Sequence, residues 1–252
     1  ASPTWEEGAK RWVEEIKKYN LKKVVFVTGG NNDTLEKVAN YCPEKFTAFA
    51  HHSPEGMNAA GQLEEAIVQK KFKGYKILAP LLKTPLDSLK FKKIWETAEK
   101  FKVPILIHFG ILGGGGGIAA GVNINPLSLE PVAKGYPNIP FIVPHFGCGY
   151  VRELLQLCWS CNNVYVDTSG NNEWIRWYPE KMNLEDLFRK FYQTVGPNRI
   201  IFGSDSSWFP RGFAYRYLED QLRACYSIKI SENNMEKIFA GNALNLLEGV
   251  AL

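Results

Sequence analysis

Short runs of β-branched and aliphatic residues alternate along this chain with longer stretches in which apolar positions recur every three or four residues. The short runs are KVVFVT (23–28), FTAFA (46–50), GYKIL (74–78), VPILIH (103–108), PFIVPH (140–145), NVYVDTS (163–169) and RIIFGS (199–204), which read as strands. The helical period runs through 35–42, 62–71, 89–101, 151–159, 184–195, 215–226 and 231–249. One strand followed by one helix, repeated, predicts a parallel sheet covered by helices. Runs as continuously apolar as FIVP and IIFG suit strands buried on both faces, as in an α/β barrel.

The first segment is helical instead. Thr4 and Glu7 have the spacing of a capping box, and Trp5, Ala9, Trp12, Val13 and Ile16 fall on one face. A helix therefore precedes the first strand, and a closed eight-stranded barrel would be one strand short. An open doubly wound sheet would call for a glycine-rich fingerprint after the first strand. TGGNNDTLEKV (28–38) has only a glycine pair there and lacks the third glycine and the acidic partner. No Ser-rich or charged linker divides the chain, so residues 1–252 are expected to form a single (β/α)8-type barrel domain whose first strand is lacking or divergent.

Composition narrows the function classes. The chain is 45% hydrophobic and 22% charged, enough to bury a core without covalent staples. Its net charge of +4 is not gathered into a basic stripe, which argues against nucleic acid and leaves small anionic substrates open. No apolar run approaches the length of a membrane span. The N-terminal ASPTWEEG is no intact signal peptide, although a mature chain would have lost one. The five cysteines are an odd number without framework spacing, which points to reduced thiols and a cytoplasmic setting. CWSC (158–161) looks like a metal or redox pair, but it closes a helix and has no second pair, so core packing is the expectation.

The candidate chemistry lies at the strand ends. All four histidines stop a β-prone run: His51 and His52 after FTAFA, His108 in VPILIH, and His145 in PFIVPH. Asp205 is placed similarly in RIIFGSDSSW. Ends of successive parallel strands converge on one rim, where imidazoles and a carboxylate could hold a metal or a substrate. Because adjacent strand residues face opposite ways, only one of His51 and His52 can line that pocket, and His52 is assigned to substrate. Asp167 in YVDTS is expected to cap the following turn. Lys76 in KGYKILAP is expected to face solvent or pair with a loop.

ILIHFG, VPHFGCGY, NVYVDTSG and RIIFGSDSSW together resemble the amidohydrolase superfamily, closest to its amidohydrolase-2 branch, which holds hydrolases and decarboxylases similar to aminocarboxymuconate semialdehyde decarboxylase. The resemblance spans roughly residues 20–247 and is strongest from 100 onward. It implies a distorted (β/α)8 barrel with one or two divalent ions, zinc first and manganese as an alternative, at the C-terminal rim. On that template His108 and Asp205 are metal ligands. Asp205 also accepts the proton of the attacking water, and His145 acts on substrate as acid, base or electrophile. The chemistry stands independently, since a divalent ion brings the pKa of bound water toward neutrality and a carboxylate can take its proton. Lys76 is similar to a strand-end lysine that some members carbamylate. Members normally open with a strand ending in His-x-His, and no such pair precedes Trp5. A chain cut before that strand, a divergent site and a lost metal all remain open. Two ligands hold a catalytic ion poorly.

The run GILGGGGGIAAG (110–121) reads as a flap over the rim, with a phosphate cradle as the alternative. Trp174, Trp177, Trp208, Phe209 and Arg211 fall in loops after strands. Arg211 and Trp208 are assigned to a carboxylated substrate, though these aromatics could equally bury against a second subunit in a homo-oligomer. The expected function is metal-dependent hydrolysis of a small carboxylated amide, ester or lactone. Metal-dependent decarboxylation and a metal-free barrel that only binds a small molecule are the alternatives. A Schiff-base reading of Lys76 leaves His108, His145 and Asp205 unexplained.

Overall fold

The computed structural model describes residues 4–28, 31–112, 121–206 and 209–250. Seven parallel strands pair in the order of the chain: β1 (Val24–Phe26), β2 (Phe46–His51), β3 (Gly74–Leu78), β4 (Ile105–His108), β5 (Phe141–Val143), β6 (Val164–Asp167) and β7 (Ile200–Ile201). Sequential parallel order with helical crossovers is barrel topology. Among the described residues no ladder joins β7 to β1, so the fold is a (β/α)8-type barrel with one strand missing at that seam.

The strands read as continuously apolar because both faces are buried, against different neighbours. Ala48, Ala50, Tyr75, Ile77, Ile105, Ile107, Phe141, Val143, Val164, Val166 and Ile200 belong to the large outer core beneath the helices. The alternate residues Phe49, Leu106, Ile142 and Ile201 form a separate inner cluster. This division follows from the two-residue period of a strand.

The helix α1 (Trp5–Tyr19) begins at the capping box, where Thr4 Oγ1 accepts from Glu7 N–H at 3.2 Å and Glu7 Oε2 accepts from Thr4 N–H at 2.9 Å. Its apolar face, Ala9, Trp12 and Ile16, packs on Phe46 and Phe213. The C-terminal segment works at the seam. Phe202 N–H donates to the Ile238 carbonyl at 2.8 Å. Ala243, Leu246 and Leu247 of the last helix (Asn242–Glu248) join the inner cluster with Val25 and Val27. The predicted helix over 231–249 is interrupted by a wide turn at Lys237–Gly241.

Cys158 and Cys161 lie in the core as free thiols, and burial pushes Cys158 up to about 12. Arg199 explains the local order there. Its Nη1 donates to the carbonyls of Cys158, Cys161 and Val164 at 2.8, 3.0 and 3.1 Å. No helix among the described residues is long and apolar enough to cross a membrane.

Candidate active site

Several strand-end side chains line a cavity of about 350 Å³ that runs from the C-terminal ends of the strands past the inner cluster to Leu21, Lys22, Lys23 and Pro104 at their opposite ends. Lys76, His145, Asp167, Ser169 and Asp205 line it, with Phe49, Leu106, Ile142 and Ile201 below. His108 stands beside His145, with ring centroids 5.2 Å apart and ring planes at 66°.

His108 ends β4, and its Nε2 lies 3.2 Å from the Ile111 carbonyl of the next loop. Burial, with the charges of Lys76 and His145 adding to it, pushes its pKa down to about 3, so it is neutral at physiological pH. Just past β5 the chain turns sharply: His145, Phe146 and Cys148 all have positive φ, at 58°, 49° and 47°. Non-glycine residues rarely adopt this conformation, and such strain gathers at functional sites. The turn aims His145 Nδ1 at the Ser169 carbonyl (3.1 Å) and hydroxyl (3.0 Å). A carbonyl can only accept, so Nδ1 carries the proton and Nε2 is left as the acceptor.

Asp167, at the end of β6, accepts from Ser169 N–H at 2.7 Å and so caps the turn as its sequence context predicts. It is also a cavity residue. Burial raises its pKa, against the opposing effects of the Ser169 hydrogen bonds and the charges of His145 and Lys76. Gly203 makes this possible, because a Cβ there would stand 2.6 Å from both Asp167 oxygens. Gln221 of the helix Tyr215–Ser227 fastens the strand ends, its Nε2 donating to the Thr168 carbonyl at 3.0 Å and the Gly203 carbonyl at 3.4 Å. Asp205 follows with φ 48° and is exposed at the rim. Both Asp205 Oδ2 and His145 Nδ1 flank Gly170, at 3.8 and 3.2 Å from where its Cβ would be.

The structure thus brings His108, His145 and Asp205 to one rim, and adds Lys76, Asp167 and Ser169. Lys76 is turned inward and 6% exposed, in place of the solvent-facing side chain expected of it. The physical reason is strand phase: Tyr75 and Ile77 occupy the outer core, which leaves the inner face to Lys76. That alternation in GYKIL was the available signal.

His52 is not brought to the cavity. Its Nε2 lies 2.9 Å from the Ala59 carbonyl, its Nδ1 3.4 Å from Asn32 Nδ2, and its ring packs on Tyr75 at 4.8 Å. Those contacts occupy both ring nitrogens of His52. His51 is the member level with Lys76 across the β2–β3 ladder, and its Nδ1 is buried without a hydrogen-bond partner. Arg211 is exposed, with its guanidinium 3.1 Å from the Tyr217 hydroxyl, and does not line the cavity. Trp208 and residues 113–120 of the glycine run lie outside the described residues. Trp174 is buried with its Nε1 donating to Asn172, whereas Trp177 is exposed.

The divalent ion implied by the resemblance needs a donor set. His108 and Asp205 have the right chemistry, a neutral imidazole and a carboxylate. Yet among the described residues no three His, Cys, Asp or Glu side chains come close enough together to hold an ion. Zinc sites use at least three protein groups, so these residues do not by themselves fit a catalytic metal.

The parallel barrel and its rim of histidines and aspartates define the class. Residues 19–249 match the amidohydrolase family model, and the chain belongs to that family, in its amidohydrolase-2 branch. The protein fluG of Emericella nidulans is 25% identical over 148 residues, covering 58% of this chain and only 16% of that protein's length. Two solved structures share the fold. One is the 5-carboxyvanillate decarboxylase of Novosphingobium aromaticivorans complexed with manganese and 4-hydroxy-3-methoxy-5-nitrobenzoic acid, at 19% identity, TM-score 0.70, over 94% of this chain and 79% of that one. The other, from Acinetobacter baumannii, is described as a probable 2-pyrone-4,6-dicarboxylic acid hydrolase and has citric acid bound. It is 16% identical, with TM-score 0.69, over 98% of this chain and 91% of that one.

Proposed function

We propose that this chain is a hydrolase that cleaves a small carboxylated ester, lactone or amide at the rim formed by His108, His145 and Asp205. The observation that carries this reading is that His145 and Asp205 line one cavity with His108 beside His145, and that Ser169 holds His145 in a single orientation. Asp205 and His145 Nε2, both acceptors, take the proton from the attacking water and hand it to the leaving group as that group departs. A divalent ion, zinc or manganese, would have to draw a third donor from outside the described set before it could take part.

Decarboxylation is a second reading, and one observation favours it. Asp167 is on the cavity wall, and burial raises its pKa, the direction required of a proton donor to the carbon that loses carbon dioxide. The test is turnover of a panel of small carboxylated esters, lactones, amides and arenecarboxylates, with and without added zinc or manganese, following acid release and carbon dioxide separately. Hydrolysis without carbon dioxide supports the first reading, carbon dioxide alone supports the second, and no turnover of any member contradicts both.

A further inference from the structure

Lys76 is a buried cation with nothing to hold. Its side chain ends in the cavity, yet among the described residues no hydrogen bond or ion pair reaches the ammonium, and Asp167 and Asp205 act on it only through space. The surfaces below it are apolar. The Phe49 ring lies over Gly74, where a Cβ would come within 2.5 Å of the ring, and Leu106 and Ile142 complete an apolar floor. Beside Lys76, at the same level of the sheet, His51 presents a buried Nδ1 that also lacks a partner. The His51 Nδ1 is a buried polar atom left unmatched, which costs stability unless a ligand meets it, and the Lys76 ammonium beside it opens onto the cavity.

We propose that Lys76, with His51 beside it, is the subsite that receives the carboxylate of the substrate. A carboxylate oxygen accepts from the Lys76 ammonium, and a second accepts from the His51 ring when its N–H faces the cavity, as charge-assisted hydrogen bonds in a water-poor site. The apolar floor then lies beneath the body of the ligand, so the subsite selects a small, compact carboxylic acid. The assignment rests on the hydrolase or decarboxylase reading only for what happens next. Binding itself needs neither metal nor turnover.

The test therefore uses chelator-treated full-length protein, with benzoate and its uncharged isostere benzamide as probes in calorimetric titration at pH 7. Wild type is expected to bind benzoate at least about tenfold more tightly than benzamide. Lys76→Met should abolish that preference. It should also unfold about 3 °C or more above wild type, because an unmatched buried charge has been removed. Lys76→Gln is the second variant should the first not fold, with the same loss of preference expected. Equal affinity for the two probes, binding of neither at 20 mM (about the weakest useful range), or a preference that survives in the variants would each overturn the assignment. Metal titration of the same sample fails or succeeds independently.

Discussion

The ring centroids of His108 and His145 stand 5.2 Å apart with their planes at 66°, although the two residues follow different strands and are separated by an entire helical crossover. His108 is fixed by the Ile111 carbonyl and His145 by Ser169, so the two imidazoles are held by different loops at one place. Such pre-organisation is what an active site needs.

The donor set fixes an expectation for metal. His108, with its pKa near 3, offers a lone pair with no proton to displace at pH 7, but His108 and Asp205 are only two donors. Zinc titrated into chelator-stripped protein should bind no more tightly than about 1 µM. His108→Ala should weaken it further. One equivalent held at about 10 nM or tighter would mean that a third donor closes on the pair.

Gly203 is the tightest point behind the site. A methyl group there meets both oxygens of Asp167 at 2.6 Å and the Ser169 Cβ at 2.7 Å. Gly203→Ala should cost about 2 kcal/mol, or roughly 5 °C in Tm, and should disturb Asp167 and the Ser169–His145 contact together. Thermal unfolding with ligand-free protein measures it. An unchanged Tm would show that β7 can shift to make room.

How much of this was legible in the sequence differs from element to element. The seven strands were visible because both of their faces are apolar, and His108, His145 and Asp205 were visible because polar residues that end such runs stand out. The strands were read as longer than they are: β7 pairs only at Ile200–Ile201 because Gly203 packs on Asp167 and Asp205 turns back with positive φ. Lys76 was misplaced because lysine generally reaches solvent. The phase of GYKIL, with Tyr75 and Ile77 on the outer side, overrode that tendency. The His52 ring is held by Asn32 and Ala59, which lie on other segments, and no local pattern announces them.

Lys76 also sets a pH dependence. Burial pulls its pKa from 10.5 down to about 8. Between those values the unfolded chain binds more protons than the folded one, so this residue's contribution to stability rises with pH through the window and its full cost is felt below pH 8. That cost is of the order of 3 kcal/mol. Lys76→Met should therefore be more stable than wild type at pH 7, and the advantage should shrink toward zero by pH 10.5. Urea unfolding of both proteins at pH 7 and 9.5 measures the difference. A constant advantage would show that the ammonium is not desolvated in the fold.

The most direct test of the proposed site is kcat/KM of His145→Ala and Asp205→Asn on whichever panel substrate wild type turns over fastest, beside thermal unfolding of each variant. Both should lose about 100-fold or more while remaining folded, with the loss in His145→Ala falling mainly on kcat. Variants that kept wild-type rates would show that this rim is not where the chemistry happens.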